Sequence, residues 1–275
     1  MNSFVTITHP LYPDLICKLA PPSEEAYAAA FDAVATNKSK SAGILIAGYN
    51  LIVACAQGIS QAEIPTLIAD WPALPERAFL EVDGLAGGLR FEGPGMDDEE
   101  VNAWRFDLAK TVEAAREIAD LRAKKTAVAA KAAASNEYAV GGASATADDA
   151  RLAELLAKHT TDLEGLASSG LDLESCATLL ARFNRRGQLT AIRTRDFGVL
   201  IIRRPGFQEQ LAFASNSTSQ GNYGACKLLA LACTEHPVNG AIAPRLASSP
   251  SLTTSIAQKA RGMVSEGMGG EVKKG

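Results

Sequence analysis

Histidine and cysteine are scarce in this chain, and their placement excludes most catalytic and metal chemistry. Its 275 residues include three histidines and five cysteines. His9, His159 and His236 lie far apart and form no HExxH or comparable ligand spacing, so neither a metal centre nor a histidine catalyst is expected. Cys17, Cys55, Cys176, Cys226 and Cys233 make no CxxC pair, and an odd count leaves one thiol over in any disulfide scheme, which fits a reducing compartment. Cys55 and Cys233 end apolar runs, whereas a reactive thiol needs a cationic, accessible setting. Gly84, Gly87, Gly88, Gly93 and Gly95 match neither GxxxxGK[ST] nor a strand-to-helix GxGxxG and read as a linker; no GxSxG elbow occurs. No cofactor is expected, and the chain reads as non-enzymatic. Long hydrophobic runs are missing too. Residues 43–56 form the most apolar stretch, short of the roughly 20 that a bilayer requires. The first residues lack a basic segment followed by an apolar one, so no signal peptide is read there. A net charge of −4 with 47% apolar residues describes an ordinary globular composition, and bulk nucleic acid is not an expected partner.

What the chain does contain is a faint internal repeat. At an offset of 178, Leu51, Ala54, Cys55, Ile64, Ala69, Pro72, Leu74 and Gly84 fall on Leu229, Ala232, Cys233, Ile242, Ala247, Pro250, Leu252 and Gly262. Upstream the offset becomes 184, where Thr6, Pro21, Glu25, Ala28 and Ala30 meet Thr190, Pro205, Glu209, Ala212 and Ala214. A repeat that keeps apolar positions and prolines rather than reactive groups is a repeat of packing. It points to a scaffold or binding protein.

Each copy predicts a β-hairpin followed by about four helices. In the first, alternating runs at 4–8 and 15–19 flank a Pro-containing turn, and helices are expected at 24–35, 42–57, 61–70 and 72–85. In the second, runs at 189–195 and 199–204 flank Asp196-Phe197-Gly198, with helices at 205–215, 222–235, 238–247 and 250–264. Between them, four acids at 97–100 open a Gly- and Pro-free run to 134. Val101, Trp104, Leu108, Val112, Ala115 and Ile118 there mark one helical stripe. Unbroken, this helix would span roughly 57 Å. A Gly/Ala/Ser break near 135–147 and helices near 147–167 and 173–185 follow. The expected architecture is α+β, mostly helical. A first hairpin/helical unit over 1–90 and a second over 187–267 are joined by a helical insert over 91–186, with a flexible tail at 268–275.

Two features suggest contact surfaces. Arg182, Arg185, Arg186, Arg193, Arg195, Arg203 and Arg204 crowd into 23 residues, with Arg193 and Arg195 on one strand face. Such a cluster could grip an acidic segment or RNA through bidentate contacts, or it could be a solvated edge strand protected by charge. The stripe of Val101, Trp104 and Leu108 could take a partner helix or pack as a strut.

The run Ile201-Ile202-Arg203-Arg204-Pro205 with Glu209, then Leu228 to Cys233, a break at Pro237, Pro250-Ser251-Leu252 and Gly262, resembles tail assembly chaperones of tailed bacteriophages. The first copy shows the same pattern in Cys17-Lys18-Leu19-Ala20-Pro21 with Glu25, Leu51 to Cys55, Pro72-Ala73-Leu74 and Gly84. The resemblance implies a helical protein of the host cytoplasm that coats the tape measure protein before the tail tube polymerises. Its partners would then be the tape measure and tail tube proteins, with self-association open. Two alternatives remain: a virion structural or connector protein of the tail or head–tail junction, and a nucleic-acid or regulatory binding protein acting through the Arg-rich hairpin.

Overall fold

The computed structural model describes residues 4–135, 143–183 and 188–266. The protein is α+β and mostly helical, with eleven helices and two small antiparallel sheets of three and four strands among the described residues. It divides into two compact parts. One is built from Met1–Arg90 together with Ile202–Gly275, the other from Phe91–Ile201.

Strands β1 (Val5–Thr8) and β2 (Ile16–Leu19) pair antiparallel, with Val5 opposite Leu19 and Thr8 opposite Ile16. His9 shapes their turn, because its Nδ1 accepts the backbone N–H groups of Leu11 and Tyr12, each at 3.1 Å. Helix α1 (Glu24–Thr36) starts where Ser23 Oγ accepts the N–H of Ala26, and α2 (Lys40–Cys55) where Ser39 Oγ accepts that of Ala42. Both are N-caps that satisfy a donor the helix itself leaves unpaired. After Cys55 the chain straightens into β3 (Ala56–Gln57), which pairs with β2. Helices α3 (Ile64–Asp70) and α4 (Leu74–Leu85) complete the half. Cys17, Leu19, Leu51, Ile52, Ile64 and Leu74 are buried in its core.

The part over Phe91–Ile201 corrects the expectation of one helix over 97–134. Residues 103–106 are a strand, β4 (Ala103–Phe106), and the helix α5 (Leu108–Ser135) begins only after Asp107. The Asp107 carboxylate accepts the N–H groups of Ala109 and Lys110, at 3.1 and 3.2 Å, and so sets the start. Helix α6 (Ala143–Ser168) returns antiparallel to α5. Ala114, Ile118 and Leu155 pack inside this helical hairpin with the Glu117–Arg151 ion pair beside them, and the pairs Lys124–Asp148 and Lys125–Asp149 line its far end. Exposed pairs of this kind add little stability, so the far end rests on helix propensity and charge. Helix α7 (Leu173–Arg182) is capped by Asp172, and strands β5 (Leu189–Thr194) and β6 (Gly198–Arg203) follow. Strand β4 pairs antiparallel with β5, Trp104 lying opposite Arg193. Of the break expected near 135–147, residues 143–147 belong instead to α6, while residues 136–142 lie outside the described residues, as does the tail at 268–275.

The boundary between the two parts falls within β6. Beyond it come α8 (Phe207–Ser219), α9 (Gly221–Cys233), β7 (Thr234–His236), α10 (Asn239–Ser248) and α11 (Pro250–Glu266). The strand order of the larger sheet is β4-β5-β6-β7. Hairpin, two helices, a short strand beside the hairpin and two more helices thus occur in the same order before residue 90 and after residue 188. Cys55 and Cys233 close the second helix of each series, Ile64 and Ile242 lie buried in the third, and Leu74 and Leu252 in the fourth.

These terminal segments pack on one another. Tyr223 of α9 meets Tyr27 and Phe31 of α1 edge-on, with ring centroids 6.0 and 6.5 Å apart. Its backbone N–H donates to Asp32 Oδ1 at 2.9 Å, and Lys227, one turn on, pairs with Glu24. Residues 86–89 run beside α11, where Ser251 N–H donates to the Ala86 carbonyl at 3.0 Å and Leu89 N–H to Ser255 Oγ at 3.1 Å. Tyr27 and Phe31, four residues apart on one helical face, thereby find the apolar partner that an isolated first unit would lack.

Candidate interaction surfaces

The arginines singled out in the sequence do not form one free basic surface. Arg185 and Arg186 lie outside the described residues. Arg193 donates through Nε to Asp162 at 3.3 Å and lies 4.9 Å above the Trp104 ring. Arg195 approaches the same ring and donates to the carbonyls of Glu99 and Asp98, at 3.1 and 2.9 Å. Trp104 is therefore clasped by two arginines of its own chain. Val101 and Leu108, which flank it in sequence, are buried, so the three do not make an exposed stripe for a partner helix. The physical reason is the strand at 103–106: it alternates sides every residue and breaks the helical period on which the stripe depends.

Arg203 is the most heavily engaged of the set. Its Nη1 donates to Glu209 at 2.7 Å and its Nη2 to the other oxygen of that carboxylate. Nε donates to Glu235 at 2.8 Å, and Nη2 also to the Ala232 carbonyl at 2.7 Å. One guanidinium thus ties the end of β6 to the first turn of α8 and to the α9–β7 junction, using the planar fork that lysine lacks. The bond from Arg203 holds the Glu209 carboxyl below its ordinary value. Arg204 lends only its carbonyl to this network, accepting from Arg203 Nη1 at 3.3 Å, and its side chain is half-buried.

A groove that the sequence did not disclose opens along α8. It has a volume of about 520 Å³ and is lined by Gln210, Phe213 and Ser217 of α8, Asn222 and Leu229 of α9, and Arg261 and Val264 of α11. Within this lining Arg261 lies 4.5 Å over the Phe213 ring. A smaller cavity of about 150 Å³ continues between α8 and α9 past Ala212, Phe213 and Leu228. Helix α8 buries none of its residues fully, and Phe207 and Leu211 stand exposed. The signal available in the sequence was the spread of Phe207, Leu211 and Phe213 around α8, more apolar surface than one helix face can bury against α9.

All five cysteines are buried and free. Burial pushes the thiols of Cys17, Cys55 and Cys226 up to about 11 and that of Cys233 to about 12. A thiolate is the reactive species, so the native protein should react with a thiol reagent at pH 8 only as slowly as it unfolds. The expected trace is no fast phase in native buffer and five equivalents after denaturant. A prompt native equivalent would place one thiol at the surface. Among the described residues no cluster of three histidine, cysteine, aspartate or glutamate side chains is arranged to hold a metal, and no helix is long and apolar enough to cross a membrane.

Comparison with known proteins finds no matching family model, curated protein or solved structure.

Proposed function

We propose that this chain is a non-enzymatic assembly chaperone of the phage-tail kind, which acts in the host cytoplasm. It covers an amphipathic helical segment of the tape measure protein while the tail tube assembles. The observation that carries the reading is the groove along α8, whose mixed lining sets Phe213, Leu229 and Val264 among the polar side chains of Gln210, Ser217, Asn222 and Arg261. That is the chemistry of a helix-in-groove site, where spaced apolar anchors enter and polar groups set register. Two further features agree with a binding role. The recurring order of elements at the two ends of the chain, which we attribute to duplication, repeats packing positions and not reactive ones. The buried, high-pKa thiols offer no ready nucleophile.

Co-expression with the tape measure and tail tube proteins of the same genome, followed by affinity purification, tests this. The wild-type chain should retain the tape measure protein, and Phe213→Glu should lose it while keeping its circular dichroism spectrum. Failure to retain either partner overturns the proposal. Recovery of the chain in stoichiometric amount from purified particles would replace it with a structural or connector role.

A further inference from the structure

The contact between the terminal segments is one-sided, and it leaves a matching pair of faces unused. Glu24, Tyr27 and Phe31 of α1 sit on Tyr223 and Lys227 of α9. At the offset of 184, the α1 face corresponds to Gln208, Leu211 and Ser215 of α8. At the offset of 178, the α9 face corresponds to Leu45 and Tyr49 of α2, with Ile46 beside them. A two-fold arrangement would set α8 on α2 just as α1 sits on α9. It does not: beyond its chain neighbour α2, helix α1 packs on α9 and α11, whereas beyond its chain neighbour α9, helix α8 makes no comparable contact.

Exposure makes the contrast plain. In the used contact Tyr27 and Tyr223 are 6% and 4% exposed. In the unused faces Leu211 is 55% exposed, and Leu45, Ile46 and Tyr49 are 46%, 46% and 40% exposed. Gln208 and Ser215 are exposed as well. Leu45, Ile46 and Tyr49 are grouped on α2, and Leu211 stands between Gln208 and Ser215 on α8, at the positions that a contact corresponding to α1–α9 would cover.

We propose that the outer face of α8 in one molecule docks on the Leu45, Ile46 and Tyr49 face of α2 in a second copy of this chain, repeating between molecules the α1–α9 contact made within one. A contact between two different faces leaves one of each over when two units are joined in a chain. Those leftovers are complementary to each other and not to themselves. The resulting association is head-to-tail and closes into a ring or runs on as a filament, according to the rotation per molecule. The α8 face involved carries Gln208, Leu211 and Ser215, and is distinct from the side bearing Gln210, Phe213, Ala214 and Ser217 that borders the groove. The groove therefore stays open in the assembly. The proposal stands independently of the chaperone reading, because the purified chain alone tests it.

Sedimentation velocity over a concentration series, with Leu211→Glu and Tyr49→Glu variants, is the experiment. Wild type should form species larger than a dimer, or one ring of fixed size. Each variant alone should be monomeric with an unchanged circular dichroism spectrum, since both side chains are exposed. An equimolar mixture of the two variants should form a dimer and stop there, because one intact α8 face meets one intact α2 face and the remaining faces are both disabled. A wild-type chain that stays monomeric up to its solubility limit overturns the proposal. So do variants that still associate, or a mixture that stays monomeric.

Discussion

Replacing Gly48 by alanine is expected to destabilise the protein by about 2–3 kcal/mol, even though alanine is the better helix former by about 1 kcal/mol. Gly48 lies inside α2, where propensity alone favours the change. A Cβ at that position, however, would stand 1.8 Å from the Pro75 carbonyl oxygen and 2.5 Å from its carbon. The obstacle is backbone in the first turn of α4, not the end of a flexible side chain, so relief requires α2 and α4 to move apart. That would loosen the packing of Leu51, Leu74 and Ala78, which are all buried in the same core. Gly262→Ala in α11 is the matched control: a Cβ there meets nothing within 4 Å, and the substitution should be neutral or stabilising by up to about 1 kcal/mol. Thermal melts of the two variants should move in opposite directions, the loss corresponding to roughly 2–4 °C per kcal/mol for a domain of this size. Equal melting temperatures would mean that α2 and α4 are not in backbone contact at Gly48.

Arg203→Ala is expected to cost about 3 kcal/mol, because it leaves two largely buried carboxylates without their shared partner. The side chains of Arg203, Glu209 and Glu235 are 19%, 27% and 13% exposed, so solvent screens the group only partly. Arg203→Lys should recover part of the loss: it keeps the charge but cannot reach Glu209 with a fork and Glu235 at the same time. The pH dependence separates this from simple loss of packing. The Glu209 carboxyl in the folded protein sits below its ordinary 4.5, chiefly through its bond from Arg203. The stability it contributes is therefore complete above the unfolded value and lost as pH falls through the folded value. Wild type should lose stability steeply below pH 4.5, and Arg203→Ala should show a shallower acid limb. Parallel acid limbs would show that the Arg203–Glu209 pair makes no contribution.

Regular elements were legible in the sequence because each carried its own local signal. Alternation marked the hairpin strands, Tyr27 and Phe31 at one-turn spacing marked α1, and Pro250 marked the start of α11, whereas α4 begins at Leu74, two residues after the Pro72 start expected for it. The short strands β3 and β7 carried no such signal. Each is two or three residues following a helix that ends in Cys55 or Cys233, and exists only because the hairpin edge is there to pair with it. Strand β4 was hidden by coincidence: Val101, Trp104 and Leu108 fit a helical period, and only the cap formed by Asp107 and pairing with β5 reveal where the helix begins. The arginine cluster was visible as composition, but its role was not. Partners such as Asp162, Glu235 and the carbonyl of Asp98 are distant in sequence, and tertiary pairing alone turns a run of positive charge into internal ties. The groove was illegible for the same reason, since α11 supplies Arg261 and Val264 from far along the chain.

The account stands on the two ends of the chain forming a single packed body through α1 and α9. Hydrogen-exchange mass spectrometry of wild type and Tyr223→Ala tests this most directly. Removing the Tyr223 ring takes away the partner of Tyr27 and Phe31, and should speed exchange in peptides from α1 as much as in those from α9, with α5 and α6 unchanged. Faster exchange confined to residues after 202, with α1 as protected as before, would contradict it.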